Sequence, residues 1–141
     1  MLQWRQYGAK KGEARMLRLE TLDGAFTVCQ VADAREIDLG QRYCFVGKTD
    51  GELSLLCETA RTPAHTLRRE DGWRGFRVRG TLDFSLTGVL ARLSGVLAAQ
   101  GIPIFAVSTY NTDYIFVKAG ELDRALAALE QAEASGDGGL H

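Results

Sequence analysis

The sequence predicts an α+β fold. Two features of the 141-residue chain carry that expectation. In the first half, β-prone runs are joined by Asp-Gly turns. In the second, a strand, an amphipathic helix, two more strands and a second helix follow one another. The length suits one domain, or two very small ones packed together.

Residues 1–15 show no clear period and contain Gly8 and Gly12. They read as a flexible N-terminal extension, with Met16 a candidate natural start. Two strand-like runs then flank Leu22-Asp23-Gly24, and Asp-Gly between β-prone runs is a hairpin signal. Ile37 to Gly40 is short and reads as one helical turn. Arg42 to Thr59 repeats the pattern of strand, Thr49-Asp50-Gly51, strand. Residues 62–71 are polar and irregular, and Pro63 bars a long helix through that point. Trp73 to Gly80 alternates apolar and basic residues, as a strand with a basic outer face would.

The clearest helix follows. Leu86, Val89, Leu90, Leu93, Val96 and Leu97 recur at i, i+3, i+4 and i+7 and form one apolar stripe. Ser85 or Asp83 can cap its start, and Gly101 ends it just before Pro103. Gly88 and Gly95 each weaken a helix by about 1 kcal/mol relative to Ala. The missing side chain at Gly88 leaves room for a ligand or for close helix–strand packing, and Gly95 is expected to let the helix sit close to the sheet. Residues 103–109 and 113–119 are strands. A second helix, 121–134, carries Leu122, Ala125, Leu126 and Leu129 on its inner face.

Strand, helix, strand, strand, helix is most of a ferredoxin-like βαββαβ unit. Its closing strand is missing after Ala134, and residues 16–20 can supply one. The first half reads as the same unit with its helices eroded. The expected organisation is therefore two units in tandem that share strands: a degenerate half at 16–72, the more legible one at 73–134, and a disordered tail at 135–141. Sharing a core helps, because a unit of about 60 residues buries little surface alone.

Charge and composition narrow the function classes. Formal net charge is −1, so binding to nucleic acid by charge alone is not expected. Arg5, Lys10, Lys11, Arg15 and Arg18 make the head basic, and Glu121, Asp123, Glu130, Glu133 and Asp137 make the tail acidic, both readable as solvated ends. No apolar run is long enough to span a bilayer, and the basic start lacks the apolar core of a secretory signal, so a cytoplasmic location without membrane contact is the expectation. Cys29, Cys44 and Cys57 lie among strand-forming residues and read as buried, reduced thiols. With only His65 and His141 beside them, no metal site is expected.

The segment LTGVLARLSGVLAAQGIPIFAVSTYNTDYIFV, residues 86–117, resembles the ACT domain, the small ligand-binding regulatory module of amino-acid metabolism. Thr87-Gly88-Val89-Leu90 stand at the family's Pro-Gly position before the helix, with Thr in place of Pro. Gly101-Ile102-Pro103-Ile104 stand at its Gly-Ile-Asn-Ile position, with Pro in place of Asn. FSLTG before the helix and STYNTDYI after it are most similar to the branch holding stand-alone bacterial tandem ACT proteins and the CASTOR-type arginine sensors. The resemblance implies a non-catalytic regulatory module that binds a small amino acid, needs no cofactor, and associates as a homodimer or with a partner protein.

The residues themselves suit such a ligand. A helix N-terminus presents unpaired N–H groups and partial positive charge, which favour a carboxylate. Ser85, Thr87, Gly88 and Val89 bring those groups within reach. An α-ammonium needs acceptors, for which Asp113 with Thr109 and Asn111 are candidates, and Tyr110 offers a flat wall. Asn111-Thr112-Asp113 reads equally as turn chemistry. An RNA platform is not supported, because Arg74-Gly75-Phe76 opens like an RRM motif but Arg77 and Val78 then depart from it. No nucleophile elbow, P-loop, dinucleotide fingerprint or HExxH occurs, so no enzyme is expected. A ligand-free structural or interaction module of the same fold is the alternative.

Overall fold

The structure, a computed structural model, describes residues 2–10, 13–80 and 88–134. The chain divides into two compact units. One gathers residues 1–22 with 75–141, and the other is residues 23–74. The elements run β1 (Leu2–Lys10), β2 (Glu13–Thr21), β3 (Phe26–Gln30), β4 (Cys44–Lys48), β5 (Leu53–Glu58), β6 (Arg68–Gly80), α1 (Val89–Ala99), β7 (Ile104–Ser108), β8 (Asp113–Lys118) and α2 (Leu122–Ala134). Single 3-10 turns lie at Ala34–Glu36, Thr59–Arg61 and Ala119–Glu121.

In the larger unit the strands are ordered β1, β2, β6, β8, β7. β2 pairs antiparallel with the C-terminal half of β6, Leu19 opposite Val78 and Thr21 opposite Phe76. β7 and β8 form a hairpin with Ser108 opposite Asp113. Leaving β1 aside, this is the strand order of a ferredoxin-like unit, with β2 standing where the chain after α2 would otherwise supply the closing strand. Both helices pack on one face of these strands. Val89, Leu93 and Leu97 of α1 and Leu122, Ala125, Leu126 and Leu129 of α2 are buried with Leu19, Phe76, Val78, Ile115 and Val117. Apart from Leu86, which lies outside the described residues, the two apolar stripes read from the sequence make these faces, with Leu90 and Val96 partly buried at their edge.

α1 is bounded by two glycines with left-handed backbone, a conformation that L side chains resist. Gly88 (φ +83) opens the helix, its carbonyl accepting from Arg92 N–H at 2.9 Å. Gly101 (φ +70) closes it. There the Gly101 N–H bonds the Ala98 carbonyl and the Ile102 N–H bonds that of Leu97, the paired geometry of a Schellman cap, and Leu97 and Ile102 are buried in the same core. The expected caps Asp83 and Ser85 lie outside the described residues.

In the smaller unit the strands are ordered β6, β3, β5, β4, with the N-terminal half of β6 taking part. β4 and β5 form the hairpin expected around Thr49-Asp50-Gly51, the Thr49 N–H bonding the Glu52 carbonyl at 2.9 Å. Cys29, Val31, Leu55 and Cys57 form one buried cluster, with Ile37, Cys44 and Leu53 packed against it. 3-10 turns at Ala34–Glu36 and Thr59–Arg61 occupy the two connections that hold helices in the larger unit. Thr27, fully buried, has its hydroxyl 2.8 Å from that of Thr59 and donates to Asp71 at 2.7 Å.

Several expectations change. Asp23-Gly24 does not close a hairpin, because β2 and β3 each pair with a different stretch of β6 rather than with each other. That strand begins at Arg68, inside the segment read as irregular, since its backbone is held by β3. The helical turn expected at Ile37 to Gly40 falls just earlier, where Asp33 caps Arg35. Leu2–Lys10 is a strand paired with β2 where the sequence suggests an extension. Residues 135–141 lie outside the described residues. Gly95 is exposed with nothing within 4 Å of an added Cβ, so close approach to the sheet does not account for it.

The close approach lies at Gly75 instead. A Cβ there would stand 2.5 Å from Phe116 Cε2, and that ring is fully buried and stacked on Phe105 at 5.2 Å. Urea denaturation should therefore separate the two glycines. Gly75→Ala is expected to lose about 1–3 kcal/mol through overpacking. Gly95→Ala is expected to gain about 1 kcal/mol from helix propensity. Equal effects at the two sites would contradict this packing.

Candidate functional site

The described candidates lie at two places in the larger unit, the start of α1 and the turn between β7 and β8, which is tied to the end of β6. The turn is built by threonines. The Thr109 N–H and hydroxyl both bond the Thr112 carbonyl, at 2.8 and 3.0 Å, and the Thr112 N–H bonds the Thr109 hydroxyl at 3.3 Å. Tyr110 and Asn111 are thereby held at the tip, Tyr110 at 85% exposure. The half-buried Asp113 accepts from Ser108 Oγ at 2.7 Å across the base of the hairpin. Thr112 Oγ donates to the Val78 carbonyl, which ties the turn to the last residues of β6.

Of the residues proposed from sequence, Thr109, Tyr110, Asn111 and Asp113 share this one hairpin, and Gly88 and Val89 open α1. Ser85 and Thr87 lie outside the described residues. Val89 buries its side chain in the core. The Thr109 hydroxyl and one Asp113 oxygen are already engaged in the turn, which leaves the second Asp113 oxygen and the Asn111 amide as the groups best placed to meet a ligand.

Two features were not read from the sequence. Arg92, one turn along α1, points back toward the helix start, its Nε 3.9 Å from where a Gly88 Cβ would lie. That Nε is buried and has no hydrogen-bond partner among the described residues. The i, i+4 spacing of Gly88 and Arg92 is the signal that could have found it. On the helix-free face, Arg77 and Arg79 both donate to Glu20, at 2.7 and 2.8 Å, and Arg77 also reaches the Tyr114 hydroxyl at 3.2 Å. The hydrogen bond from Arg79, and next that from Arg77, hold the Glu20 carboxyl below its usual range. The basic outer face read along β6 is therefore partly neutralised by β2. Among the described residues no cluster of three or more His, Cys, Asp or Glu side chains could hold a metal ion, and no helix is long and apolar enough to cross a membrane.

Strand, capped helix, hairpin and second helix in this order are what the comparison with known families detects. Residues 68–131 match the ACT domain. The matched ACT stretch runs from β6 through α1, β7 and β8 into α2, and β2 lies outside it. Among solved structures, an Agrobacterium tumefaciens protein is 29% identical with a TM-score of 0.72, over 82% of this chain and 87% of its own. A Vibrio cholerae protein of unknown function is 21% identical with a TM-score of 0.63, over 82% of this chain and 88% of its own. The regulatory subunit of aspartate kinase from Thermus thermophilus has the same fold at 13% identity and a TM-score of 0.57, over 81% of this chain and 95% of its own. The chain matches no curated protein sequence.

The tie between hairpin and β6 can be tested alone. Thr112→Val keeps the shape of the side chain and removes the donor to Val78. It is expected to lower stability by about 1 kcal/mol and to speed amide exchange in residues 108–113. Unchanged exchange there would mean that the bond does not hold the turn.

Proposed function

We propose that the chain is a non-catalytic regulatory module that binds a small amino acid at the α1 start and the β7–β8 hairpin and transmits that state to a partner. The ACT match over residues 68–131 carries this reading. Likeness in fold to the regulatory subunit of aspartate kinase agrees with it. In this account the ligand carboxylate meets the backbone N–H groups at Gly88 and Val89, helped by the helix dipole and the Arg92 guanidinium. Its ammonium meets Asp113, with Thr109 and Asn111 beside it and Tyr110 as a wall; Ser85 and Thr87 are assigned to the same site from the sequence alone.

The smaller unit is read as a second, degenerate ACT-like half. Its strand order β6, β3, β5, β4 supports this, because it repeats the closing, first, third and second strands of the larger unit with short turns in place of helices. Association as a homodimer belongs to the same reading, as does kinship with the branch that includes CASTOR-type arginine sensors, which rests on FSLTG and STYNTDYI. A second reading, an interaction module without a ligand, is favoured by the highly exposed Tyr110 beside β7, which pairs only with β8 among the described residues.

Calorimetry of the full chain against the twenty amino acids distinguishes them. Binding of one or a few is expected. Asp113→Ala should abolish that binding with little change in melting temperature, because the Ser108 contact it loses is an exposed one. No heat with any amino acid from folded protein would favour the interaction module. Unfolding of Asp113→Ala would show that the residue serves the turn.

A further inference from the structure

All three cysteines of the chain face the same small core of residues 23–74, and the strand register sets their spacing. Cys44 of β4 lies directly opposite Cys57 of β5. Directly opposed residues of an antiparallel pair have Cα atoms about 4.5–5.5 Å apart, within the range of about 4.4–6.8 Å that a disulfide spans. Cys29 of β3 lies opposite Leu55, so it is diagonal to Cys57, at about 7–8 Å and beyond disulfide reach. From Cys44 it is two strands away and offset by two residues along them, about 12 Å. The register thus selects one pair of three. All three are free thiols in the structure.

Access distinguishes the members of the pair. Cys57 is fully buried, whereas Cys44 is half-buried on a strand that pairs only with β5 among the described residues. Burial, and next the Asp38 carboxylate, push the Cys44 thiol up, while a hydrogen bond from Gln41 acts the other way. Burial pushes Cys57 up to about 11. Cys44 is therefore the thiol an oxidant meets, and Cys57 the neighbour that answers.

We propose that Cys44 and Cys57 are a redox-modification site, closing to a cross-strand disulfide on exposure to hydrogen peroxide. The Cys44 thiol gives up its proton, the thiolate attacks one peroxide oxygen and becomes a sulfenic acid, and the other oxygen leaves with that proton as water. The Cys57 sulfur then attacks the Cys44 sulfur, loses its proton and expels the sulfenic oxygen as a second water. Two thiols are oxidised by two electrons and one peroxide is reduced to two waters. The bond links β4 to β5 across their hairpin, and a dithiol reductant restores both thiols.

The test uses the full chain, treated with hydrogen peroxide at mildly alkaline pH, denatured, and assayed for free thiols. The reduced chain has three, and oxidation is expected to consume two of them, recovered by dithiothreitol. A non-reducing tryptic map should link the peptide of residues 43–48 to that of residues 49–61. Cys29→Ala should leave the link intact. Cys44→Ser, at a half-buried edge position where folding is tolerant, should abolish it. Three free thiols after treatment, a link that includes Cys29, or Cys44 oxidised to a sulfinic acid without any link would each overturn the proposal.

Discussion

Leu19 of β2 lies opposite Val78 of β6, and both are buried against α1 and α2. Much of the larger unit depends on this pairing. The strand–helix–strand–strand–helix segment lacks its closing strand, and without one the edge of β6 would present unpaired N–H and carbonyl groups beside an apolar core. β2 satisfies them from a distant part of the sequence. It also contributes Glu20, which holds Arg77 and Arg79 on the opposite face. The same strand therefore supplies backbone bonds, core surface and charge compensation.

What β2 does for one half of β6, β3 does for the other, and the smaller unit follows from that. One of its buried clusters is built largely from the strands themselves, with Ile37 from the connection before β4 laid against it. The buried Thr27 hydroxyl is satisfied by Thr59 and Asp71, and Arg69 donates to the same Asp71 at 2.9 Å. Polar bonding of this kind specifies geometry.

The helices were legible because their stripes repeat over several turns, and Leu93, Leu97, Leu126 and Leu129 are all buried where the period puts them. The β4–β5 and β7–β8 hairpins were legible for the same local reason. Strand partners set by tertiary context were not. Asp23-Gly24 has hairpin chemistry, yet the strands on either side of it pair elsewhere, because β6 is long enough to engage both. Glycine was legible as an exception and not as a cause. Gly88 is required by its positive φ, Gly75 by the Phe116 ring, and Gly95 by no contact in the structure. At the candidate site, sequence reading found the hairpin but not Arg92 or the hydroxyl of Thr112 that anchors it. The Thr109 hydroxyl also takes part in the turn.

Completion of the ACT-like unit by β2 is most directly tested by native-state hydrogen exchange on the full chain. If β2 is integral, the amides of residues 17–21 that face β6 will exchange with the same free energy as those of Ile115, Phe116 and Val117, through one cooperative opening. Exchange of residues 17–21 orders of magnitude faster than that of β8 would contradict the account, leaving β2 as a strand laid against a unit that holds together without it.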